Sequence, residues 1–201
     1  MSITSTISER PYTLMGTSAQ RDPKPYPFFL SVVLLRRGGK QFYPSLIEDL
    51  AQKGVGEIIL VESLESSSDM ESLIHSFPRL RCLLVQEPLT VGEKINLAVE
   101  EALGDWVLVQ WTDMAWGDMP SSSRMWQEVS NRKEAVLVPE LSNRFGEGVP
   151  SRFGPSLLKK EFKPLPIGQG EEDKDSIYPF DFVGLLNKAK FRALGGYDGD
   201  N

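Results

Sequence analysis

Residues 92–113 read GEKINLAVEEALGDWVLVQWTD, and this stretch decides the fold class. Its first half predicts an amphipathic helix. The apolar side chains that share one face of this helix are Ile95, Ala98, Val99, Ala102 and Leu103. Gly104 ends the helix, and the apolar run at 106–109 is too short for a second one, so it predicts a buried strand. A polar and aromatic segment, QWTD at 110–113, follows that strand. This arrangement is typical of an open α/β sheet that presents side chains to a ligand at its carboxyl edge.

The residues on the N-terminal side of this stretch repeat the same alternation. Apolar, β-prone runs at 28–35, 57–61 and 80–85 predict three further buried strands, and helical patterns separate them. The order is therefore β-α-β-α-β-α-β, with connections short enough for right-handed crossovers. We predict an α/β fold with a mostly parallel sheet and helices on both faces.

The length of 201 residues allows one substantial core. Residues 1–27 are rich in Ser, Thr, Pro and charge, which predicts a flexible N-terminal arm, and 28–201 form the single domain. Weaker patterns predict a strand at 134–138 and a helix at 187–194. Between them, residues 139–178 are dense in Gly, Pro and charge, which predicts a long loop region.

Composition argues against several classes of protein. With 28 acidic against 22 basic residues and a net charge of −6, the chain has no general attraction for nucleic acid. It contains neither an apolar stretch near the roughly 20 residues that span a bilayer nor an apolar signal core, so we expect a cytoplasmic protein. The single cysteine, Cys82, lies in an apolar run and is expected to be buried. Because His75 is the one histidine, zinc chemistry and a Ser-His-Asp triad are poor fits.

Acidic side chains follow two of the predicted strands. Glu62 and Asp113 each come just after an apolar run, so both are expected to face the same crevice of the sheet. Carboxylates placed there can accept ribose hydroxyl groups or hold a divalent cation against a diphosphate. The pattern is equally compatible with two solvated loop acids of an acidic protein.

Basic side chains lie in two further places that a ligand could reach. Arg36 and Arg37 open the loop RRGGK, whose cations and N–H groups could meet phosphate, although a solvated turn is the alternative. This loop matches neither a Walker loop nor the G-x-G-x-x-G fingerprint, so an NAD-dependent oxidoreductase ranks last. The first turns of the predicted helix contain Lys94 and Asn96. Either these side chains contact a phosphate or base of a ligand, or they lie on the solvated face of the helix.

The order of these motifs resembles the family-two glycosyltransferases, which have the GT-A fold of the nucleotide-diphospho-sugar transferase superfamily. The matching segments are LSVV at 30–33, EIILVE at 57–62, GEKINLAVEEALGDWVLV at 92–109 and GGYD at 195–198. The resemblance extends from about residue 28 to the end. It implies a Rossmann-like GT-A sheet, a nucleoside diphosphate sugar as donor, and transfer of the sugar to an acceptor hydroxyl.

The resemblance also implies roles at the nucleotide. Glu62 stands where the family has an Asp that contacts the base or ribose, and Asn96 matches the Asn of the helix segment. Lys94 occupies a position that is often basic or small. In a sugar-nucleotide-dependent enzyme, we expect Arg36 or Lys94 to offset phosphate charge. Asp113 matches the last acid of the D-x-D cluster, which in this family binds Mg²⁺ or Mn²⁺ together with the diphosphate.

On the acceptor side, Gly195, Gly196 and Asp198 match the family's "GG.D". The acceptor implied is a sugar or a lipid-linked acceptor, which leaves peripheral association with a membrane open.

The chain departs from the family pattern in ways that support an alternative function. Trp111 stands where the first acid of the cluster is usual, and the loop at Arg36 replaces a Pro-Thr-Tyr-Asn type of sequence. The sequence ends before the acidic pair that supplies the family's catalytic base, so we expect Asp198 or Asp200 to be the remaining candidates. The alternative is a catalytically inactive GT-A-like domain that binds nucleotide sugars or serves as a scaffold.

Overall fold

The computed structural model describes residues 12–16, 30–37, 43–115, 117, 120–129, 131–158, 161–168 and 176–198. The strands, in chain order, are β1 (Tyr12–Met15), β2 (Leu30–Leu35), β3 (Glu57–Ser63), β4 (Leu80–Val85), β5 (Trp106–Trp111), β6 (Val136–Leu137), β7 (Leu141–Ser142), β8 (Gly148–Val149), β9 (Arg152–Gly154), β10 (Leu157–Leu158), β11 (Glu161–Phe162), β12 (Leu165–Ile167), β13 (Tyr178–Pro179) and β14 (Gly184–Asn187). The helices are α1 (Tyr43–Gln52), α2 (Ser67–Ser76), α3 (Val91–Glu101), α4 (Ser122–Val129) and α5 (Lys188–Ala193), with 3-10 turns at Leu64–Ser66 and Phe180–Phe182. Within these described ranges, no helix combines the length and apolar character needed to cross a membrane.

One mixed sheet of seven strands organises the domain, in the order β1-β4-β3-β2-β5-β14-β6. Strands β4, β3, β2 and β5 run parallel, while β1 and β14 pair antiparallel with their neighbours. This confirms the prediction of an α/β fold with a mostly parallel sheet. The chain proceeds from β2 outward to β3 and β4 and then returns to the other side of β2 as β5. Ligands of open α/β sheets usually bind outside the carboxyl ends of the strands at such a reversal of strand order.

Helices cover both faces of the parallel strands, which explains why those strands read as continuous apolar runs. On one face, Leu34 belongs to a core cluster that includes Ile47 of α1 and Met70 of α2. On the other face, Val33 belongs to a cluster that includes Ile95 of α3. Successive residues of β2 therefore point into separate cores, as the alternation of side chains along a strand requires.

Helix α3 begins with a capping box. The hydroxyl of Thr90 accepts from the backbone N–H of Glu93 at 3.2 Å, and the carboxylate of Glu93 accepts from the N–H of Thr90 at 2.7 Å. These bonds satisfy two donors that the first turn of a helix leaves unpaired. They fix the start of the helix on the carboxyl side of the sheet.

Residues 12–15 correct the prediction of a flexible N-terminal arm. They form β1, in which Tyr12 lies opposite Val85 of β4. The phenol of Tyr12 also donates to the carboxylate of Glu101 at 2.5 Å. The prediction was wrong here because the open edge of β4 supplies a hydrogen-bonding partner that the local sequence does not reveal. Residues 1–11 and 17–27 lie outside the described residues.

The predicted loop region at 139–178 also contains short strands. β7 pairs with β8, β10 pairs with β11, and β9 lies between β12 and β13. These strands have two or three residues each, too few for an alternating pattern to show in the sequence. The predicted strand at 134–138 is reduced to β6, and residues 169–175 lie outside the described part.

A buried ionic network joins the amino ends of the strands. Arg81 donates to Glu57 at 3.0 Å and to the carboxylate of Glu101 at 3.1 Å, and it donates to the Glu101 carbonyl at 2.8 Å. The hydroxyl of Ser31 donates to Glu57 at 2.5 Å. Arg81 and Glu57 are each 3% exposed, so the pairing offsets a large desolvation cost.

Candidate functional site

Two consecutive arginines stand at the point where the strand order reverses. Leu35, the last residue of β2, lies opposite Val61 of β3 on one side and Trp111 of β5 on the other. Arg36 and Arg37 follow directly. They therefore emerge between the carboxyl ends of β3 and β5, in the expected position of a ligand crevice.

Arg36 pairs with Glu62. Its Nη1 lies 3.4 Å from Oε2 of Glu62. The side chain of Glu62 is only 5% exposed, whereas that of Arg36 is 38% exposed. Burying a carboxylate is costly unless a cation or donor meets it, and Arg36 supplies that charge. Glu62 lies within β3, one residue before its last residue, Ser63, whereas the sequence predicts it just beyond the end of the strand.

Arg37 lies between two acids and an aromatic ring. Its Nη2 donates to Oδ2 of Asp181, and its Nη1 lies 3.9 Å from Oδ2 of Asp113. Its Cζ lies 4.3 Å from the centre of the Trp111 ring. A planar guanidinium can stack on a ring with its face while its edge meets carboxylates. We call Arg37, Trp111, Asp113 and Asp181 the Arg37 cluster.

Asp181 is brought to this cluster by a strained turn. Asp181 and Phe182 have φ angles of 54° and 62°, in the left-handed region. Each such residue costs about 1–2 kcal/mol. The indole N–H of Trp111 donates to the Asp181 carbonyl at 2.8 Å and so helps to hold the turn. Strain of this kind persists only where the surroundings fix it, and it is common at functional sites.

Asn96 holds the turn GGYD at 195–198. Its Nδ2 donates to the carbonyl of Tyr197 at 2.7 Å, and its Oδ1 accepts from the N–H of Tyr197 at 2.8 Å. A Cβ on Gly196 would lie 2.5 Å from Oδ1 of Asn96, so a glycine is needed there. The two motifs that the sequence assigns separately to nucleotide and acceptor therefore contact each other. Asn96 positions the turn, because the backbone of Tyr197 engages both ends of its amide.

The ring of Tyr197 connects this turn to the Arg37 cluster. It packs edge-on against Phe182, with ring centres 5.1 Å apart, and against Phe191 at 5.3 Å. Burial raises the pKa of Tyr197 to about 12, so its phenol stays neutral. Asp198, the predicted base, is exposed next to it, and Lys94 is half-buried in the first turns of α3.

A cleft of about 260 Å³ opens beside Asp113, between α1 and the segment after β5. Its other lining residues are Ser45, Leu46, Asp49, Thr112, Met114 and Ala115. A larger hollow of about 570 Å³ is lined by His75 of α2 and Gly16 after β1. That hollow lies near the amino end of β4, away from Arg36 and Arg37. The smaller cleft is therefore the one at the carboxyl edge of the sheet.

The acids described at this edge do not form a ready-made site for a divalent cation. Within the described ranges no group of three or more His, Cys, Asp or Glu side chains converges as metal ligands do. Asp113 and Asp181 both face Arg37, so a guanidinium already meets their charge. Trp111, at the position where the resemblance predicts a further acid, offers no oxygen ligand. Mg²⁺ and Mn²⁺ bind through oxygen ligands, so a cation here would compete with the Arg37 guanidinium for the oxygens of these two acids.

The structure brings together only some of the predicted site residues. Arg36 and Glu62 are in contact, and Asp113 stands on the same edge beside Arg37. Asp181 was missed, because it lies in FDFVGLL at 180–186, a segment that the sequence marks only as apolar. The available signal was weak: Asp is among the few residue types that enter the left-handed region readily.

No protein-family model and no curated protein sequence matches this chain. Solved structures do match it. S. aureus TarS 1–349 in complex with UDP aligns with a TM-score of 0.52 and 13% identity over 86% of this chain and 51% of that one. The same fragment in a second structure aligns with a TM-score of 0.50 and 15% identity over 83% of this chain and 49% of that one. A putative glucose-1-phosphate thymidylyltransferase from Bacillus anthracis, in complex with sucrose, aligns with a TM-score of 0.51 and 16% identity over 86% of this chain and 78% of that one.

These likenesses establish the fold. The chain has a GT-A-like fold, as the motif order predicts. It spans about half the length of the TarS fragment.

Proposed function

We propose that the protein binds a nucleoside diphosphate sugar at the carboxyl edge of its sheet and transfers the sugar to an acceptor hydroxyl. The observation that carries this proposal is the pair Arg36 and Arg37 at the reversal of strand order, flanked by Glu62 and Asp113. A GT-A-like fold, shared with a protein whose structure contains UDP, supports a nucleotide as the ligand.

The residues of the edge suit the parts of such a ligand. Glu62 can accept hydrogen bonds from the ribose or base, since its carboxylate is held at the end of β3. Arg36 and Lys94 supply positive charge for phosphate from two sides, the end of β2 and the start of α3.

The transfer itself exchanges one bond for another. The acceptor oxygen bonds to the anomeric carbon, and the bond from that carbon to the diphosphate oxygen breaks with its electron pair on the diphosphate. The acceptor proton passes to a base, for which Asp198 on the exposed turn after α5 is the candidate. A sugar or a lipid-linked sugar is the acceptor class that we propose.

Calorimetry with UDP, GDP and their sugar conjugates tests the binding step, both with Mg²⁺ or Mn²⁺ and in EDTA. We expect at least one of them to bind with a Kd of about 1 µM–1 mM, the usual range of enzyme substrates. Glu62→Gln should weaken this binding, because the amide would offer a donor where ribose hydroxyls need an acceptor.

Glu100→Gln is the matched control, since Glu100 is an exposed acid that pairs with Arg192 on α5. If no ligand gives a heat of binding, either with Mg²⁺ or Mn²⁺ or in EDTA, the proposed function is refuted.

A GT-A-like domain that binds nucleotide sugars without transferring them is the second candidate. The observation that favours it is Trp111, which stands in place of an acid and bonds the Asp181 backbone. Incubation with a panel of sugar nucleotides and sugar acceptors separates the two candidates. Release of nucleoside diphosphate that depends on acceptor excludes the silent domain, whereas binding without any release supports it.

A further inference from the structure

We infer that the diphosphate of the ligand is held by the guanidinium groups of Arg37 and Arg36, with no divalent cation between the phosphates and the protein. This inference rests on the proposed function, because it concerns the same site.

The Arg37 cluster already places a cation between two acids. Asp113 and Asp181 are the described carboxylates at the end of β5 and in the turn beside it, and Arg37 contacts both. An arginine remains charged throughout the physiological pH range, and its fork of N–H donors fits phosphate oxygens in pairs. Arg37 therefore places N–H donors that fit phosphate oxygens at this edge without a metal ion.

The cluster also keeps the guanidinium in one orientation. The Trp111 ring supports its face at 4.3 Å, and Asp181 accepts a hydrogen bond from its Nη2. Asp181 is itself held by the indole N–H of Trp111 at 2.8 Å. An arginine oriented in advance loses less conformational freedom when it binds a ligand.

Asp113 makes the weaker of the two contacts. At 3.9 Å its carboxylate is beyond hydrogen-bonding distance of Arg37 Nη1. The side chains of Arg37 and Asp113 are 43% and 50% exposed, so a ligand from solvent can reach both. A phosphate oxygen would take the position at Nη1 that faces Asp113. Asp113 therefore competes with the ligand, which is the opposite of what a metal ligand does.

The sign of the effect of Asp113→Asn provides the test. Binding of UDP, or of whichever nucleoside diphosphate binds to the wild type, is measured by calorimetry in EDTA and then with added Mg²⁺ or Mn²⁺. We expect binding in EDTA, with Asp113→Asn binding as tightly as the wild type or more tightly. We expect Arg37→Gln to weaken binding about 10- to 100-fold, the usual effect of losing a charge-assisted bond.

Arg192→Gln is the control for loss of a positive charge, because Arg192 pairs with Glu100 on the surface at 3.1 Å. Circular dichroism melting verifies that each variant is folded. If Arg37→Gln does not fold, binding by Asp113→Asn still tests the inference. Binding that requires metal and is lost in Asp113→Asn would overturn the inference while the proposed function stands. Unchanged binding by folded Arg37→Gln would overturn it too. No binding by the wild type in any condition would refute the proposed function and this inference together.

Discussion

Gly195 and Gly196 show how two neighbouring glycines can be needed for different reasons. Both have positive φ angles, 89° and 75°. A Cβ on Gly195 would meet nothing within 4 Å, whereas a Cβ on Gly196 would lie 2.5 Å from Oδ1 of Asn96. That oxygen cannot move away freely, because it accepts a hydrogen bond from Tyr197. Backbone conformation alone explains the first glycine, and close packing is added at the second.

Substitution of each glycine by alanine should therefore have unequal effects on the free energy of unfolding. Gly195→Ala should lower it by about 1–2 kcal/mol, the cost of the left-handed region for a residue with a Cβ. Gly196→Ala should lower the free energy of unfolding by about 1–3 kcal/mol more than Gly195→Ala does, the usual cost of overpacking. Urea unfolding of the two variants measures the difference. Equal losses would mean that Asn96 does not hold its position as described.

At the scale of elements, the buried network at Arg81 ties together strands and a helix that are distant in sequence. Arg81 of β4 donates to Glu57 of β3 and Glu101 of α3, and Tyr12 of β1 bonds the same Glu101. In β4, Arg81 contributes a cation within a run that otherwise predicts apolar side chains. The pairing of Arg81 therefore fixes how β3, β4 and α3 meet at the amino edge, and Tyr12 adds a bond from β1 to the same carboxylate.

Arg81→Met should lower the free energy of unfolding by about 3–5 kcal/mol, because it leaves the buried carboxylates of Glu57 and Glu101 without their cation. Chemical denaturation of the variant measures this loss. Arg79→Met is the matched control: Arg79 is exposed and donates to the Val55 carbonyl at 2.8 Å. We expect it to cost about 1 kcal/mol. A similar loss in both variants would contradict the structural importance of the network.

For the molecule as a whole, two buried groups predict a sensitivity to alkaline pH. Burial, together with the negative charge of Glu62, raises the pKa of the Cys82 thiol from 9.0 to about 12. Burial raises the pKa of Tyr197 from 10.0 to about 12. In both cases the folded state favours the neutral group. Their contribution to stability is fully present below about pH 9 and is lost as the pH rises through 12.

The melting temperature of the protein should therefore fall between pH 9 and about 12 more steeply than that of the double variant Cys82→Ala/Tyr197→Phe. Each kcal/mol lost should lower the melting temperature by about 2–4 °C in a chain of this length. Thermal melts at intervals of pH provide the two profiles. Parallel profiles would show that the thiol and phenol are not buried in the folded state.

The sequence by itself was sufficient for the parallel core of the fold. Runs such as 57–61 and 80–85 are apolar throughout because helices cover both faces of the strands, and this signal is local. It also placed Glu62 and Asp113 at one edge, since parallel strands end on the same side. Burial of Cys82 followed from its apolar neighbours in the same way and agrees with the structure.

Only the tertiary structure decided which side chains meet at that edge. The strand β1 exists because β4 offers an open edge, and Asp181 reaches Arg37 because β14 lies beside β5. Asn96 binds the backbone of Tyr197, a contact that the sequence pattern of its helix does not predict. Periodicity is set by neighbouring residues and can be read along the chain. Contacts between residues far apart depend on strand order and on the space between elements, which no local pattern encodes.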